Sequence, residues 1–251
     1  AQALIDAGVG RVVMAIPDSD PRVDGLGAKM LRDAGITVET GLLGDQAFAD
    51  HDGVLRRTVT GRPMVTLKMA SSFDGRIATG TGESQWITDT PARRFVHAMR
   101  ARHDAVMVGG GTARHDDPSL NVRGLGIDQQ PARVVISRRL DLPLMGKLAR
   151  TAKDIPVILC HGKDADSTLI KTWTDLGVHL LPCRVVNNQL DTADVLNQLG
   201  KHGLTRLLCE GGSALAASLI RNDLVDQLVG FTAGLVIGVE GLAGIGALGL
   251  D

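Results

Sequence analysis

Apolar positions fall in short runs separated by longer amphipathic stretches, the pattern of strands alternating with helices. Residues 11–16 form an apolar run ending in Pro17-Asp18 and predict a buried strand. The turn-rich segment 18–25 follows, then a helix over 27–33 stopped by Gly35, then a strand over 36–39. Strand, helix, strand in that order predicts parallel pairing through a right-handed crossover. Residues 44–59 predict a further helix, and Gly61-Arg62-Pro63 breaks the chain, so the domain boundary is placed between 1–60 and 61–251. Beyond it, strands are predicted over 63–70, 105–108, 133–136, 157–160, 178–181 and 206–209. Residues 71–85 read as a polar, glycine-rich loop. Thr90 is positioned to cap a helix with Pro91 in its first turn, and Ala92, Phe95 and Met99 supply its apolar face. Later helices are expected over 167–176, 192–201 and from Ser213 to Asn222. The fold class is therefore α/β with a mainly parallel sheet flanked by helices.

One apolar stretch, residues 228–250, is long enough to be weighed as a membrane span. Its glycines disfavour helix, and Val236, Ile237 and Val239 cluster as in a strand, so a buried strand followed by a glycine-rich loop is the preferred reading and no membrane is expected. Net charge is −1 with acids and bases interspersed, which leaves no basic stripe for nucleic acid. The three cysteines, Cys160, Cys183 and Cys209, are odd in number and widely spaced. They predict neither a disulfide framework nor a metal cluster and fit a reducing, cytoplasmic setting. Cys160-His161 as half of a metal site lacks partners in the sequence. Ala1-Gln2-Ala3-Leu4-Ile5 reads as the middle of a helix without a cap, as in a chain cut from something longer.

Two glycine-rich turns close predicted strands: Gly109-Gly110-Gly111-Thr112 and Glu210-Gly211-Gly212-Ser213-Ala214-Leu215, the second followed by a helix. Glycine lets backbone amides approach a phosphate, and a helix N-terminus favours the anion. Neither is a complete dinucleotide fingerprint, so each alone is equally a tight turn, and their pairing in one sheet is what points to a nucleotide. Ser137-Arg138-Arg139 at a strand end suits a ribose 2′-phosphate, hence NADP(H) over NAD(H), or is a solvated basic turn. Asp116-Asp117-Pro118 offers a carboxylate near a nicotinamide or an Asx turn. Arg100, Arg102 and Arg123 are candidates for anchoring a substrate phosphate, or are surface residues. From the residues alone, the chain is an α/β nucleotide-binding enzyme.

The run Lys68-Met69-Ala70-Ser71-Ser72-Phe73-Asp74-Gly75-Arg76-Ile77-Ala78, followed by Gly82-Glu83-Ser84-Gln85-Trp86-Ile87-Thr88, closely resembles the entry to the reductase domain of the riboflavin-biosynthesis deaminase/reductase family. Ala92-Arg93, Arg100-Ala101, Gly111-Thr112, Asp116-Asp117-Pro118, Leu120, Arg123 and Glu210-Gly211-Gly212 continue the pattern. Gly8-Val9, Arg11-Val12-Val13, Asp20-Pro21, Val23, Gly25 and Gly27 resemble the end of the cytidine-deaminase-like domain fused to that reductase. The family's zinc motifs would precede Ala1, so zinc and deamination are expected only in that preceding part, and no metal site is expected here. The family's last strands run past Asp251, so the C-terminus is expected to be truncated.

The resemblance implies a dihydrofolate-reductase-like fold, a homodimer, and NADPH-dependent reduction of the ribosyl group of 5-amino-6-(5-phosphoribosylamino)uracil. It implies that Ala70, Trp86, Thr112, Asp116 and Ser137 line NADPH, with Gly212, Ser213, Ala214, Leu215, Ala216, Ala217 and Ser218 as its phosphate loop. Ser84, Arg100, Leu120, Arg123 and Glu210 would contact the small-molecule substrate, and Asp116 or Glu210 would assist proton transfer. The competing expectation is a cofactor-binding or assembly module that does not turn over because the chain is truncated.

Overall fold

The computed structural model describes residues 1–18, 20, 25–83 and 89–249. They divide into two compact units, Ala1–Gly61 and Arg62–Asp251.

The first unit runs α1 (Gln2–Asp6), β1 (Arg11–Met14), α2 (Leu26–Asp33), β2 (Thr37–Thr40) and α3 (Gly44–Thr60). β1 and β2 pair in parallel, Arg11 opposite Thr37. α2 ends where Gly35 takes φ +82° and the Ile36 amide donates to the Leu31 carbonyl. β1 departs from expectation: Arg11 and Val13 are exposed and Val12 and Met14 only half-buried. Apolar residues make the strand, but a sheet of two strands gives it little to be buried against. The resemblance-bearing Pro21 and Val23 lie outside the described residues.

The second unit is built on a seven-stranded sheet. Its strands are β3 (Met64–Ser72), β5 (Ala105–Gly109), β6 (Ala132–Ile136), β7 (Val157–Gly162), β8 (His179–Cys183), β11 (Arg206–Cys209) and β12 (Gln227–Ala233). The spatial order is β12-β3-β11-β5-β6-β7-β8, and every neighbouring pair is parallel. The strands of the middle are apolar at nearly every position because both faces are covered. Ala105 and Met107 of β5 join a core with Val195, Leu196 and Leu199 of α8 (Thr192–Lys201) and Leu215 and Leu219 of α9 (Ser213–Arg221). Val106 and Val108 point the other way, to a core with Leu148 of α6 (Lys147–Arg150) and Trp173 of α7 (Ser167–Asp175). The remaining elements are β4 (Arg76–Ala78), α4 (Thr90–Ala101), α5 (Gly110–Asp116), the hairpin of β9 (Val185–Val186) and β10 (Gln189–Leu190), and β13 (Leu242–Ala243).

Several local expectations are corrected. The cap of α4 is Asp89, whose carboxylate accepts the Ala92 N–H at 3.0 Å, and Thr90 is already in the helix. A carboxylate one residue earlier outcompetes the threonine hydroxyl. Phe95 is 57% exposed and meets Phe231 edge-on, so the buried stripe of α4 centres on Met99. The segment 71–85 is not all loop, since it holds the end of β3 and all of β4. Within 228–250 the strand lies early, at Gln227–Ala233, where β3 offers a free parallel edge. Val236 and Val239 fall in the following loop and are exposed. No helix of the described residues is long and apolar enough to cross a membrane.

Arg62 closes the second unit by reaching across to Asp226 at the start of β12, with Nη1 and Nη2 donating at 2.7 and 2.9 Å. Asp226 also accepts the Val65 N–H at 2.8 Å and is 5% exposed. Removing one partner strands a buried charge. Asp226→Ala is expected to cost about 3 kcal/mol or more, read as a lower midpoint in urea unfolding; an unchanged midpoint would show that the pair contributes nothing net.

Candidate functional site

Because the strands run in parallel, their C-terminal ends meet along one edge of the sheet, and the order β3-β11-β5-β6 sets which residues become neighbours there. Leu67 of β3 and Met107 of β5 both pair with Cys209 of β11. One residue further along, Lys68 therefore lies beside Glu210, and the glycine turn after β5 lies on the other side of Glu210. Ser137, next after β6, completes the row.

Two glycines are required by the packing. A Cβ on Gly211 would sit 2.9 Å from Cβ of Val108, so any side chain there would push β11 off β5. Gly212 takes φ +80° and forms the N-cap of α9 without a side-chain capping bond and with no acidic residue in the first turn. The first amides of α9 are thus left for an anion. Gly110 is also close-packed, 3.2 Å from the Ile136 carbonyl oxygen and 3.3 Å from Cβ of Ser137 by the same measure.

Two clefts open on this edge. The larger, about 930 Å³, is walled by 109–112, Ser137, Arg138, Arg139, the β9–β10 turn and the start of α9 from Gly212 to Ser218 except Ala216. The smaller, about 720 Å³, is walled by Lys68, Ala70, Arg93, His97, Arg100, Thr112, His115, Asp116, Arg123, Glu210 and Ala216 among others. They share the rim Gly111, Thr112, Gly211, Gly212 and Ser213.

In the smaller cleft Arg100 holds Glu210 through two bonds, Nε to Oε1 at 2.5 Å and Nη2 to Oε2 at 2.9 Å, and donates from Nη1 to the Asn121 carbonyl at 2.9 Å. The side chains are 13% and 9% exposed, which strengthens this forked pair. Burial pulls the Lys68 ammonium below the ordinary lysine value, with the Glu210 charge opposing and Arg100 adding to the fall. His97 is also lowered, first by burial and then by Arg100 and Arg123.

In the larger cleft the Ser137 hydroxyl donates to Asp141 at 2.9 Å, and Asp141 also pairs with Arg114 at 3.0 Å. Arg138 donates to Asp164 at 2.5 Å and to the Asn188 side chain at 2.9 Å, so its charge is matched. Arg139 is exposed on the same wall.

Residues 63–247 match the family described as RibD C-terminal domain. The chain belongs to that family. It is 37% identical over 235 residues to the riboflavin biosynthesis protein RibD of Actinobacillus pleuropneumoniae, covering 94% of this chain and 62% of that protein. It is 34% identical over 243 residues to RibD of Escherichia coli strain K12, covering 95% and 66%. Among solved structures, Acinetobacter baumannii RibD superposes with a TM-score of 0.85 at 36% identity, covering 98% of this chain and 67% of that one. A Thermotoga maritima protein described as a diaminohydroxyphosphoribosylaminopyrimidine deaminase/5-amino-6-(5-phosphoribosylamino)uracil reductase superposes with a TM-score of 0.82 at 29% identity, covering 97% and 64%. The chain thus spans about two thirds of the length of these RibD relatives.

Within this RibD-type unit most sequence-predicted residues converge. Ala70, Thr112, Asp116, Arg100, Arg123, Glu210 and Ala216 wall the smaller cleft, while Ser137, Gly212, Ser213, Ala214, Leu215, Ala217 and Ser218 wall the larger. Leu120 does not reach a wall. It is 3% exposed, packed in the core with Ala113 and Val135, and its φ of +53° turns the chain just before Asn121 receives Arg100. Arg102, the C-cap of α4, is exposed away from both clefts. Ser84 and Trp86 lie outside the described residues. Among the described residues no group of three potential metal ligands occurs. Burial pushes the Cys209 thiol up to about 12, which keeps it an inert neighbour of Glu210.

Sequence reading assigned no role to Lys68 or His97. Lys68 is the one charge in the otherwise uncharged strand Met64–Ser72, a signal that was legible. His97 follows Arg93 by four residues and precedes Arg100 by three, the spacing of a single helix face.

The segment after β12 folds back over this edge. Asp74 fastens it, accepting the Ser72 hydroxyl at 2.6 Å and the amides of Gly238 and Ile237 at 2.8 and 3.2 Å. Gly244 then lines the smaller cleft, and Gly246 and Ala247 the larger. These donors, the Ser72 hydroxyl first, hold the Asp74 carboxyl at about 2, below its ordinary 3.8. A depressed carboxyl stabilises the fold fully above the ordinary value, and that contribution is lost as pH falls towards 2. Asp74→Asn is expected to lower the unfolding midpoint at neutral pH, with the gap to wild type closing in that acid window. A gap that persists below it would show that the charge is not what matters.

Proposed function

We propose that residues 62–251 reduce the ribosyl group of 5-amino-6-(5-phosphoribosylamino)uracil to its ribitylamino product with NADPH, in riboflavin biosynthesis. The observation that carries this reading is the shared rim: a cleft built of glycine turns and a bare helix N-terminus adjoins a cleft rich in charge. A dinucleotide in the first and a sugar phosphate in the second would meet at Gly111, Thr112 and Gly211–Ser213. Support for the substrate comes from the family and from the description of the Thermotoga maritima relative.

The residues fit a nicotinamide dinucleotide. Gly211 and Gly212 allow close approach, the first turn of α9 offers unpaired amides to a pyrophosphate, and Arg139 and Arg221 on the same wall favour the phosphorylated form. The Ser137 hydroxyl and the Arg138 charge are less available than their sequence suggests, since Asp141 and Asp164 engage them. When bound, NADPH supplies the hydride taken up at the ribosyl C1′.

The chain's own residues position the sugar and move the proton. As the C1′–O4′ bond opens, Lys68 Nζ gives its proton to O4′, so that substrate, NADPH and one proton yield ribitylamino product and NADP⁺. Burial makes Lys68 a better acid than a solvent-exposed lysine. Glu210, clamped by Arg100 through both oxygens, stands as an acceptor for the pyrimidine and as a counter-charge to Lys68 rather than as the proton donor. Asp116 borders the smaller cleft.

Residues 1–61 correspond in this reading to the end of a cytidine-deaminase-like domain, and no deamination or zinc is assigned to them. The family likeness supports a homodimer, and the buried free cysteines suit the reducing cytoplasm.

NADPH oxidation, followed by absorbance with substrate generated in place by a separate deaminase, tests the proposal. Consumption that depends on substrate is expected. NADPH binding without consumption would favour a module that binds cofactor and does not turn over. For the proton donor, Lys68→Met is expected to lower kcat by about 100-fold or more. In the wild type, kcat should fall as pH rises through the depressed lysine value, below the ordinary 10.5, because the charged acid is then lost. A Lys68→Met variant with wild-type kcat would remove Lys68 from the chemistry.

A further inference from the structure

One wall of the larger cleft is an element too small to hold itself in place. β9 and β10 are two residues each, and an isolated pair of short strands is at most marginally stable in water. The turn between them is well made. Val186 pairs with Gln189, and Asn187 and Asn188 take φ of +48° and +63°, left-handed values that a two-residue hairpin turn requires and asparagine tolerates. The base is anchored too. Leu190 is buried in the core, the Asp191 N–H donates to the Arg184 carbonyl at 2.9 Å, and Arg184 Nε donates to the Asp191 carboxylate at 2.8 Å. The tip, Asn188 and Gln189, stands in the cleft wall.

Arg138 holds that tip. From just past the end of β6, its Nη1 donates to Oδ1 of Asn188 at 2.9 Å and reaches the Asn188 carbonyl at 3.5 Å. Its Nη2 donates to Asp164, just past the end of β7, at 2.5 Å. Among the described residues, Arg138 makes the only side-chain bonds to Asn188 and Gln189. The Arg138 backbone is itself fixed, since its carbonyl accepts the Gly162 N–H at 2.9 Å. A Cβ on Gly162 would run into Asp164 and stand 3.2 Å from Cγ of Arg138, so glycine makes room for the latch. Along the sequence Arg138 reads as a ligand for a ribose 2′-phosphate. In the fold its side chain is 21% exposed, its charge is matched by Asp164, both terminal nitrogens are engaged and Nε is buried.

We infer that Arg138 is a positioning residue, which sets the β9–β10 tip as a wall of the larger cleft, and that dinucleotide affinity depends on this wall rather than on a contact between Arg138 and the cofactor. The identity of the ligand rests on the cofactor reading above. A hairpin held at base and tip is already ordered when the ligand arrives. Released from Arg138, the tip would have to be ordered on binding, and that lost freedom lowers affinity.

Calorimetric titration of NADP⁺ into the full chain, its Arg138→Met and Asn188→Gly variants and the double variant tests this. Glycine suits the left-handed φ at position 188, so Asn188→Gly removes the side chain that Arg138 holds and keeps the turn. Each single variant is expected to weaken NADP⁺ by about fivefold. The double variant is expected to bind no more weakly than Arg138→Met alone, because both changes cut the same bond. Amide hydrogen exchange is expected to quicken over 185–190 in all three variants, with wild-type protection in the rest of the second unit certifying the fold. Wild-type affinity in Asn188→Gly beside a loss in Arg138→Met would place Arg138 on the cofactor itself, and losses that multiply would mean two separate contacts. Either result overturns the inference, as does unchanged affinity in both single variants. A wild-type chain that takes up no NADP⁺ would sink the cofactor reading and this inference with it, whereas tight wild-type binding with unaffected variants would sink the inference alone.

Discussion

In a parallel sheet each strand must find a neighbour running the same way, and every connection must carry the chain back across a face before the next strand begins. That constraint places all the strand ends of the second unit along one edge, and the order β3-β11-β5-β6 decides what stands beside what. Lys68, Glu210, the turn at 109–112 and Ser137 become consecutive neighbours although β11 is nearly the last strand of the chain. Arg100 of α4 and Glu210, 110 residues apart in sequence, meet just past the end of β11. The chemistry of the site is therefore a property of strand order before it is a property of any side chain.

Close packing at that edge turns two clefts into one site. Gly211 lies against Val108 so tightly that β11 and β5 share a surface there, and the thin rim that results separates the clefts by little more than backbone. A side chain at this point would part the strands and widen the rim between the clefts. The returning segment after β12, held by Asp74 and by the Gly246 amide on the Ser213 carbonyl, supplies the outer wall of both clefts. Several of its glycines are explained by what they lie against. At Gly241 a Cβ would come within 2.8 Å of Arg76, and at Gly244 within 3.1 Å of Met69.

Charge in the smaller cleft is divided by pairing. The buried fork between Arg100 and Glu210 costs desolvation on both sides and returns orientation, which is the common use of a buried ion pair. It leaves a fixed carboxylate beside Lys68, in a cleft that Arg123 and His97 also wall. Lys68 is then poised between two opposing influences, the burial that disfavours its charge and the Glu210 carboxylate that favours it.

Local sequence pattern determined the elements of the second unit well. α8 and β11 lie where the apolar periodicity put them, and the two glycine turns end their strands as expected. Positional motifs also marked most of the cleft walls, because a glycine pressed against a neighbouring strand leaves little choice of residue. Burial, pairing and strand position beyond the core were decided only in three dimensions. Val13 is as apolar as any core valine, but a sheet of two strands leaves it 44% exposed. Leu120 matched the family pattern, yet it serves the core and the turn before Asn121. Arg100 and Arg123 look alike along the chain, and only the arrival of Glu210 from β11 makes Arg100 a clamp while Arg123 walls the same cleft. Hydrophobic period is a local quantity that the chain carries in itself, whereas the charge a side chain has left to offer depends on which distant group the topology brings to meet it.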